Sequence, residues 1–121
     1  MGGGFAELIV WREAAGLVAE VVTAARSLRG PSAGATADQI VRAAESVPAN
    51  IAEGYGRGVN RDCLRFLRVA RGSASELESH LRVAIAARRL PAERGHQLIS
   101  HACRVRFLID RFLKSVERRL P

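Results

Sequence analysis

Hydrophobic residues recur every three or four positions along most of the chain, which is the spacing of an amphipathic helix. Clusters of glycine and proline interrupt this spacing and separate four segments. We predict helices over residues roughly 5–28, 38–56, 60–89 and 91–119. No segment shows the alternation of a half-buried strand, and no internal repeat is visible. The sequence predicts one all-α domain over residues 1–121, and its short connections favour an antiparallel, up-down-up-down four-helix bundle.

The first predicted helix carries two hydrophobic seams. At about 100° per residue, they cover about 200° of its surface, twice the usual apolar stripe. One seam can face the core of a small bundle, and we expect the other to contact another subunit. One seam consists of Leu8, Trp11, Ala15, Val18, Val22 and Ala25, and the other of Val10, Ala14, Leu17, Val21, Ala24 and Leu28.

The second predicted helix has a proline near its middle. The hydrophobic spacing keeps its phase across Pro48, so we expect a continuous helix that is kinked there. Proline removes one backbone hydrogen bond and crowds the carbonyl of Ala44, at a cost of about 3 kcal/mol or more. That carbonyl needs another donor, and Asn50 and Ser46 are the candidates.

Two polar residues follow the proline at helical spacing. Glu53 and Arg57 are four residues apart, so they can form an ion pair along the helix. A carboxylate beside an amide is not a catalytic set without a base, nucleophile or metal. We therefore interpret Asn50 and Glu53 as structural groups at a kink or a subunit contact.

Helix starts can be predicted from the residues that precede each hydrophobic segment. Thr36 or Asp38 can cap the second helix, and Asn60 can cap the third with Asp62 in its favourable first turn. Pro91 suits the first turn of the fourth helix, where the missing N–H is harmless.

Arginine dominates the charge, with 18 arginines, one lysine and a net charge of +7. A basic surface attracts nucleic acid and other anionic partners. The third helix places arginines opposite the core side that we assign to Phe66, Leu77 and Leu81. This arginine row is a candidate contact for nucleic acid or a protein partner and consists of Arg57, Arg61, Arg65, Arg68 and Arg71.

The arginine row has two interpretations at this point. It can track phosphates, or it can be a solvated helix face that Asp62 partly neutralises. No aromatic residue interleaves with these arginines, so the sequence favours phosphate contacts without base stacking. The basic residues of the fourth helix are interrupted by Asp110 and Glu117, which is typical of a mixed solvated face, with a partner surface as the alternative.

No arrangement of residues predicts an enzyme. His80, His96 and His101 lack metal-ligand spacing, and no Ser/His/Asp set or paired carboxylates are visible. The glycines over residues 54–58 lack the lysine and the strand of a phosphate-binding loop. We therefore expect no catalytic, cofactor or metal site.

The composition also bears on location. No apolar run approaches the roughly 20 residues of a membrane span, and the amino-terminal stretch lacks the basic region of a signal peptide. Cys63 and Cys103 are far apart in the sequence, and we expect both to be small buried side chains in a reducing cytosol. The protein is thus expected in the cytoplasm, without a membrane partner.

Three motifs resemble one known family. Residues 39–57 (QIVRAAESVPANIAEGYGR) are similar to the signature of the four-helix-bundle proteins encoded in 23S ribosomal RNA intervening sequences. Residues 65–78 (RFLRVARGSASELE) and 8–14 (LIVWREA) resemble two further motifs of that family. Val41 replaces the first arginine of the family's pair, and Arg42 keeps the second. The motif positions that we single out are Arg42, Ser46, Pro48, Asn50 and Glu53.

The resemblance implies a left-handed bundle that assembles into a ring-like homopentamer without enzymatic activity. Related proteins are accessory factors of diversity-generating retroelements, and these accessory factors engage nucleic acid and a reverse transcriptase. Association with ribosomal RNA has been proposed for the wider family. We therefore expect a non-enzymatic oligomeric scaffold that binds RNA or DNA, with a reverse transcriptase or another protein as a further partner. The alternative is a structural or protein-interaction homo-oligomer without nucleic-acid binding.

Overall fold

Four helices account for most of the chain in a computed structural model that describes residues 4–5 and 8–121. They are α1 (Ile9–Ala25), α2 (Ala33–Gly56), α3 (Arg61–Ala86) and α4 (Ala92–Arg119). The described residues contain no strand, so the predicted all-α class is confirmed. The helices pack in a cycle, α1 against α2, α2 against α3, α3 against α4 and α4 against α1, as in a four-helix bundle. None of them is long and apolar enough to cross a membrane.

A single hydrophobic core lies between the four helices. Each helix contributes aliphatic side chains that are almost fully buried, such as Leu17, Ile51, Leu77 and Ile109. Small residues such as Ala14, Ala44, Ala70 and Ala102 fill the spaces between them and allow the helices to approach closely. This composition explains how 121 residues with six aromatic side chains build a core.

The two seams of α1 lie in different environments, as the sequence analysis predicts. The residues Val10, Ala14, Leu17, Val21 and Ala24 are buried in the core. Those of the other seam that lie within α1 are only half-buried, namely Trp11, Ala15, Val18, Val22 and Ala25. Ile9 at the start of α1 is 60% exposed. An apolar strip of α1 therefore remains at the surface of the single chain.

The ends of α1 differ from the prediction. Its predicted start reaches into residues 6–7, which lie outside the described residues, and the observed helix begins at Ile9. It ends at Ala25 rather than Leu28, because the amides of Ser27 and Leu28 bond three residues back, to Ala24 and Ala25. The last turn is tightened and the α-helical pattern stops there.

The predicted start of α2 is wrong. The helix begins at Ala33, so Thr36 and Asp38 lie inside it and cap nothing. Ser32 precedes the helix in a left-handed conformation, with a φ of 60° and no side-chain cap. The alanines after it are strong helix formers, and they extend the helix past Gly34 toward its amino terminus.

The loop before α2 is tied to the loop after α3. The backbone amide of Arg29 donates to the carbonyl of Arg89 at 3.0 Å. The guanidinium of Arg89 donates in return to the carbonyls of Arg29 and Pro31. These contacts provide hydrogen-bond partners for backbone groups of the two loops.

The predicted start of α3 is confirmed, and its end is not. Asn60 accepts a hydrogen bond from the amide of Cys63 at 2.9 Å, and Asp62 lies in the first turn. The helix ends at Ala86 rather than residue 89, because Arg88 has a left-handed φ of 59°. Pro91 immediately precedes α4 instead of lying within its first turn.

α2 continues through Pro48, as the phase of its hydrophobic residues predicts. The amide group of Asn50 donates to the carbonyl of Ser46 at 2.8 Å, so it does not serve the carbonyl of Ala44 as expected. The side chain of Asn50 reaches back one turn, which places its donor at residue 46 and not at residue 44. The continuous helix keeps Val47 and Ile51 in the core on either side of the proline.

Candidate nucleic-acid interface

The amino-terminal half of the arginine row is organised around Asp62. Arg57, at the end of α2, contacts Glu53 at 3.2 Å and Asp62 at 3.3 Å. Arg65, one turn into α3, contacts the other oxygen of Asp62 at 2.8 Å. The predicted Glu53–Arg57 pair is therefore present, and Asp62 draws two arginines together across the α2–α3 loop.

Phe66 lies beneath these arginines and not in the core, contrary to the sequence prediction. The guanidinium carbon of Arg65 is 4.4 Å from the ring centroid, and that of Arg57 is 4.9 Å away. Such stacking on the face of an aromatic ring contributes about 0.5–1 kcal/mol at exposed sites. An aromatic ring thus accompanies the arginine row after all, although the two guanidinium groups cover it.

The carboxyl-terminal half of the arginine row joins α3 to α4. Arg71 contacts Asp110 at 2.8 Å, and Arg68 contacts Glu117 at 3.5 Å. These pairs account for the two acidic residues that interrupt the basic face of α4 in the sequence. Among the described residues, no carboxylate lies within ion-pair distance of Arg61. The structure therefore brings the row together along one edge but pairs four of its five arginines.

The motif positions of α2 form a polar contact with α3. The hydroxyl of Ser46 lies 2.8 Å from that of Ser73, and the amide of Asn50 donates to Ser46 Oγ at 3.1 Å. Ser73 is 8% exposed and is the buried polar residue among those described. The three side chains satisfy one another where α2 packs against α3.

A shallow polar cleft continues this contact toward the start of α2. It has a volume of about 250 Å³ and is lined by Gln39, Arg42, Ser46, Glu76 and His80. The Nε2 atom of His80 lies 3.6 Å from a carboxylate oxygen of Glu76, one helical turn away. Arg42, the arginine that the family motif retains, is exposed beside this cleft.

An apolar groove runs along the other side of α2, between α1 and α2. It has a volume of about 380 Å³, and nearly all of its lining is apolar. Phe5 and Trp11 both line it, and their rings meet edge to face with centroids 5.2 Å apart. We define the α1–α2 groove by Trp11, Ala15, Val18, Pro48, Ala49 and Ala52.

These motifs and their helical framework coincide with one protein family. The family model described as 23S rRNA-intervening sequence protein matches residues 6–111. The chain belongs to this family. A search of curated protein sequences found no match to the chain. The match covers α1, α2, α3 and the larger part of α4, with the Ser46–Asn50 contact and the whole arginine row, and it assigns no reaction to any residue.

His101 joins α1 to α4, a contact that the sequence pattern does not predict. The Nδ1 atom of His101 lies 2.8 Å from Glu20, and its Nε2 atom lies 3.1 Å from Glu13. Arg104 also contacts Glu13, at 3.3 Å. The signal in the sequence was the seven-residue spacing of Glu13 and Glu20, which places both carboxylates on one face of α1.

A second ionic cluster joins α3 to α4 and involves a cysteine. Glu78 accepts hydrogen bonds from Arg82 at 2.9 Å and from Arg106 at 2.7 Å, and these bonds hold its pKa below the usual value. The Cys103 sulfur lies 3.6 Å from Glu78 and 3.7 Å from Arg106. Cys103 is thus half-buried in a polar setting, contrary to prediction, whereas Cys63 is buried as expected.

The chemistry that these clusters support is ionic and structural. Within the described part of the chain, no three His, Cys, Asp or Glu side chains are arranged to hold a metal ion. The carboxylates that contact the arginine row are each held by arginine. Binding of phosphate groups by guanidinium is what the exposed surface offers.

Proposed function

We propose that this chain is a non-enzymatic subunit of a homo-oligomeric helical scaffold that binds the phosphate backbone of RNA or DNA. The observation that carries this proposal is the arginine row, which follows one edge of the bundle at helical spacing. Its guanidinium groups remain accessible, since the side chains of Arg57, Arg65 and Arg68 are 46%, 63% and 52% exposed. Arginine at such positions can form paired hydrogen bonds with phosphate oxygens.

The ion pairs along the row are compatible with phosphate binding. Exposed pairs contribute about 0.2–1 kcal/mol in proteins, so a phosphate can compete with a carboxylate for the same guanidinium. The chain keeps a net charge of +7 whichever carboxylates its arginines contact. Binding of this kind is electrostatic, independent of sequence and strongly dependent on salt.

Assembly is the second part of the proposal. The α1–α2 groove offers an apolar surface with half-buried Trp11 and Val18, and a second copy of the chain would remove it from water. The family resemblance implies a ring of five left-handed, antiparallel bundles. A pentamer would carry a charge of about +35 and would present the arginine row five times, which raises avidity for a long polyanion. The resemblance also supports a protein partner such as a reverse transcriptase.

A salt series with duplex and single-stranded RNA and DNA tests the binding, with the oligomer mass measured in parallel. We expect binding near physiological salt that weakens steeply as salt rises. Arg61→Glu with Arg65→Glu should abolish it. A control with the same charge change is Arg26→Glu with Arg94→Glu, which lies off the row and should retain more of the affinity. Equal loss in the two double variants would contradict the assigned surface.

A structural homo-oligomer without nucleic-acid binding is the second candidate. The observation that favours it is the pairing of Arg57, Arg65, Arg68 and Arg71 with carboxylates, two of which lie on α4. A stable oligomer that ignores every nucleic acid offered at low salt would establish this alternative. Val18→Glu should then lower the oligomer mass, whereas Ala19→Glu, at an exposed position of α1, should leave it unchanged.

A further inference from the structure

A cleft opens where α2 ends, α3 begins and α4 ends. Its volume is about 260 Å³, and most of its lining is apolar. We call it the end cleft, defined by Tyr55, Val59, Cys63, Phe112, Val116 and Arg119. It is separate from the arginine row, whose side chains do not line it.

The lining of the end cleft resembles that of small-ligand sites. Two of its lining residues, Tyr55 and Phe112, are half-buried aromatic side chains, and Val59 is 41% exposed at its mouth. Ligand clefts are mostly apolar and aromatic, with a few polar groups that fix orientation. Its volume lies just below the usual range of about 300–1,000 Å³ for such sites, so it suits one flat ring system.

One positive charge lies at this cleft. The Nε atom of Arg119 donates to the carbonyl of Ser115 at 3.4 Å, and no described carboxylate lies within ion-pair distance of its guanidinium. The side chain lies near the thiol of Cys63. Burial raises the pKa of that thiol, and the charge of Arg119 opposes the effect. The occupant should therefore combine an apolar ring with an adjoining anion.

We propose that the end cleft takes one unstacked base of a single-stranded nucleic acid, with the adjoining phosphate bound by Arg119. This inference rests on the proposed function and adds a preference to it. Every base has an apolar face that can pack against aromatic side chains, so insertion requires no particular sequence. The bases of a duplex are stacked and paired and cannot enter without unpairing. The arginine row should bind both forms, and the end cleft should bind only the single strand.

The test compares a single-stranded oligonucleotide containing 2-aminopurine with its duplex, at several salt concentrations. We expect the fluorescence of the single strand to change on binding, because the probe base leaves its stacked neighbours. Val59→Trp fills the mouth of the cleft from an exposed loop. It should weaken single-strand binding about fivefold or more, which corresponds to the lower end of the free energy of stacking one base on an aromatic side chain. It should leave duplex binding unchanged.

Arg119→Gln and Arg118→Gln form a matched pair, since each removes one positive charge from the last turn of α4. Arg119→Gln should weaken single-strand binding more than duplex binding, and Arg118→Gln should affect both equally. The inference is overturned if the two variants behave alike, or if the probe fluorescence does not change while both forms bind. Absence of binding to every nucleic acid would instead overturn the proposed function itself, and this inference with it.

Discussion

The hydroxyl of Ser46 on α2 lies 2.8 Å from the hydroxyl of Ser73 on α3. This contact sits in the motif that surrounds Pro48, and Asn50 completes it from the next turn of α2. A buried polar contact between two helices contributes modest free energy but constrains how they can be aligned. The polar motif residues therefore favour one alignment of α2 against α3.

Replacement of Ser73 by alanine should measure the strength of this contact. The hydrogen bond is worth about 1 kcal/mol, while alanine gains about 0.5 kcal/mol over serine in a helix. Ser79→Ala is the matched control, since Ser79 lies exposed on the same helix. We expect the free energies of unfolding of the two variants, from denaturant titration, to differ by about 1 kcal/mol. Equal stability would show that the contact between the hydroxyls contributes nothing.

Replacement of Pro48 by alanine should straighten α2 and change assembly. Alanine restores the amide that proline lacks and removes the crowding of the preceding turn. Pro48 also lines the α1–α2 groove, so a change in the course of α2 alters the apolar surface offered to a second copy. Light scattering and a structure of the variant check this. An unchanged oligomer mass together with unchanged helix packing would refute the prediction.

Two glycines inside helices should respond to alanine in opposite directions. A Cβ atom at Gly54 would lie 3.2 Å from the backbone oxygen of Cys63 and 3.3 Å from Leu67, so we expect a loss of about 1–3 kcal/mol. A Cβ atom at Gly72 would meet nothing within 4 Å, and alanine there should add up to about 1 kcal/mol. Thermal unfolding distinguishes the two. A stabilised Gly54→Ala variant would mean that α2 and α3 can separate slightly at no cost.

Glu78 should make the stability of the bundle depend on pH. Hydrogen bonds from Arg82 and Arg106 lower its pKa in the folded chain, despite an opposing effect of burial. Its contribution is therefore complete above the ordinary glutamate pKa of about 4.3 and is lost as the pH falls through the lower, folded value.

Glu78→Gln should consequently cost about 1–3 kcal/mol at neutral pH and progressively less as the solution is acidified below about pH 4. Asp38→Asn is the control, because Asp38 is exposed and has no ion pair among the described residues. Urea titrations over this pH range check the difference. A cost of Glu78→Gln that stays constant down to about pH 2 would contradict the assigned role of the two arginines.

The sequence by itself determined the four helices, their order and the double seam of α1, because periodicity depends only on spacing along one helix. It also determined the Asn60 cap and the Glu53–Arg57 pair, whose partners lie within one turn. Helix ends were predicted less well. Ser32 and Arg88 adopt left-handed conformations that no local pattern signals, and α2 begins at Ala33, before the two capping candidates in the sequence.

Only the tertiary structure decided which polar side chains meet between helices. The contacts of His101 with α1, of Arg71 with α4 and of Ser46 with Ser73 join residues 27 to 88 positions apart. The rotation of each helix about its axis fixes such contacts, and packing of the whole core sets that rotation. The same rotation places Phe66 against two arginines, where the sequence predicts a core position. It also places Arg119 in the lining of the end cleft. Spacing along one helix shows which residues share a face, but packing determines what that face meets.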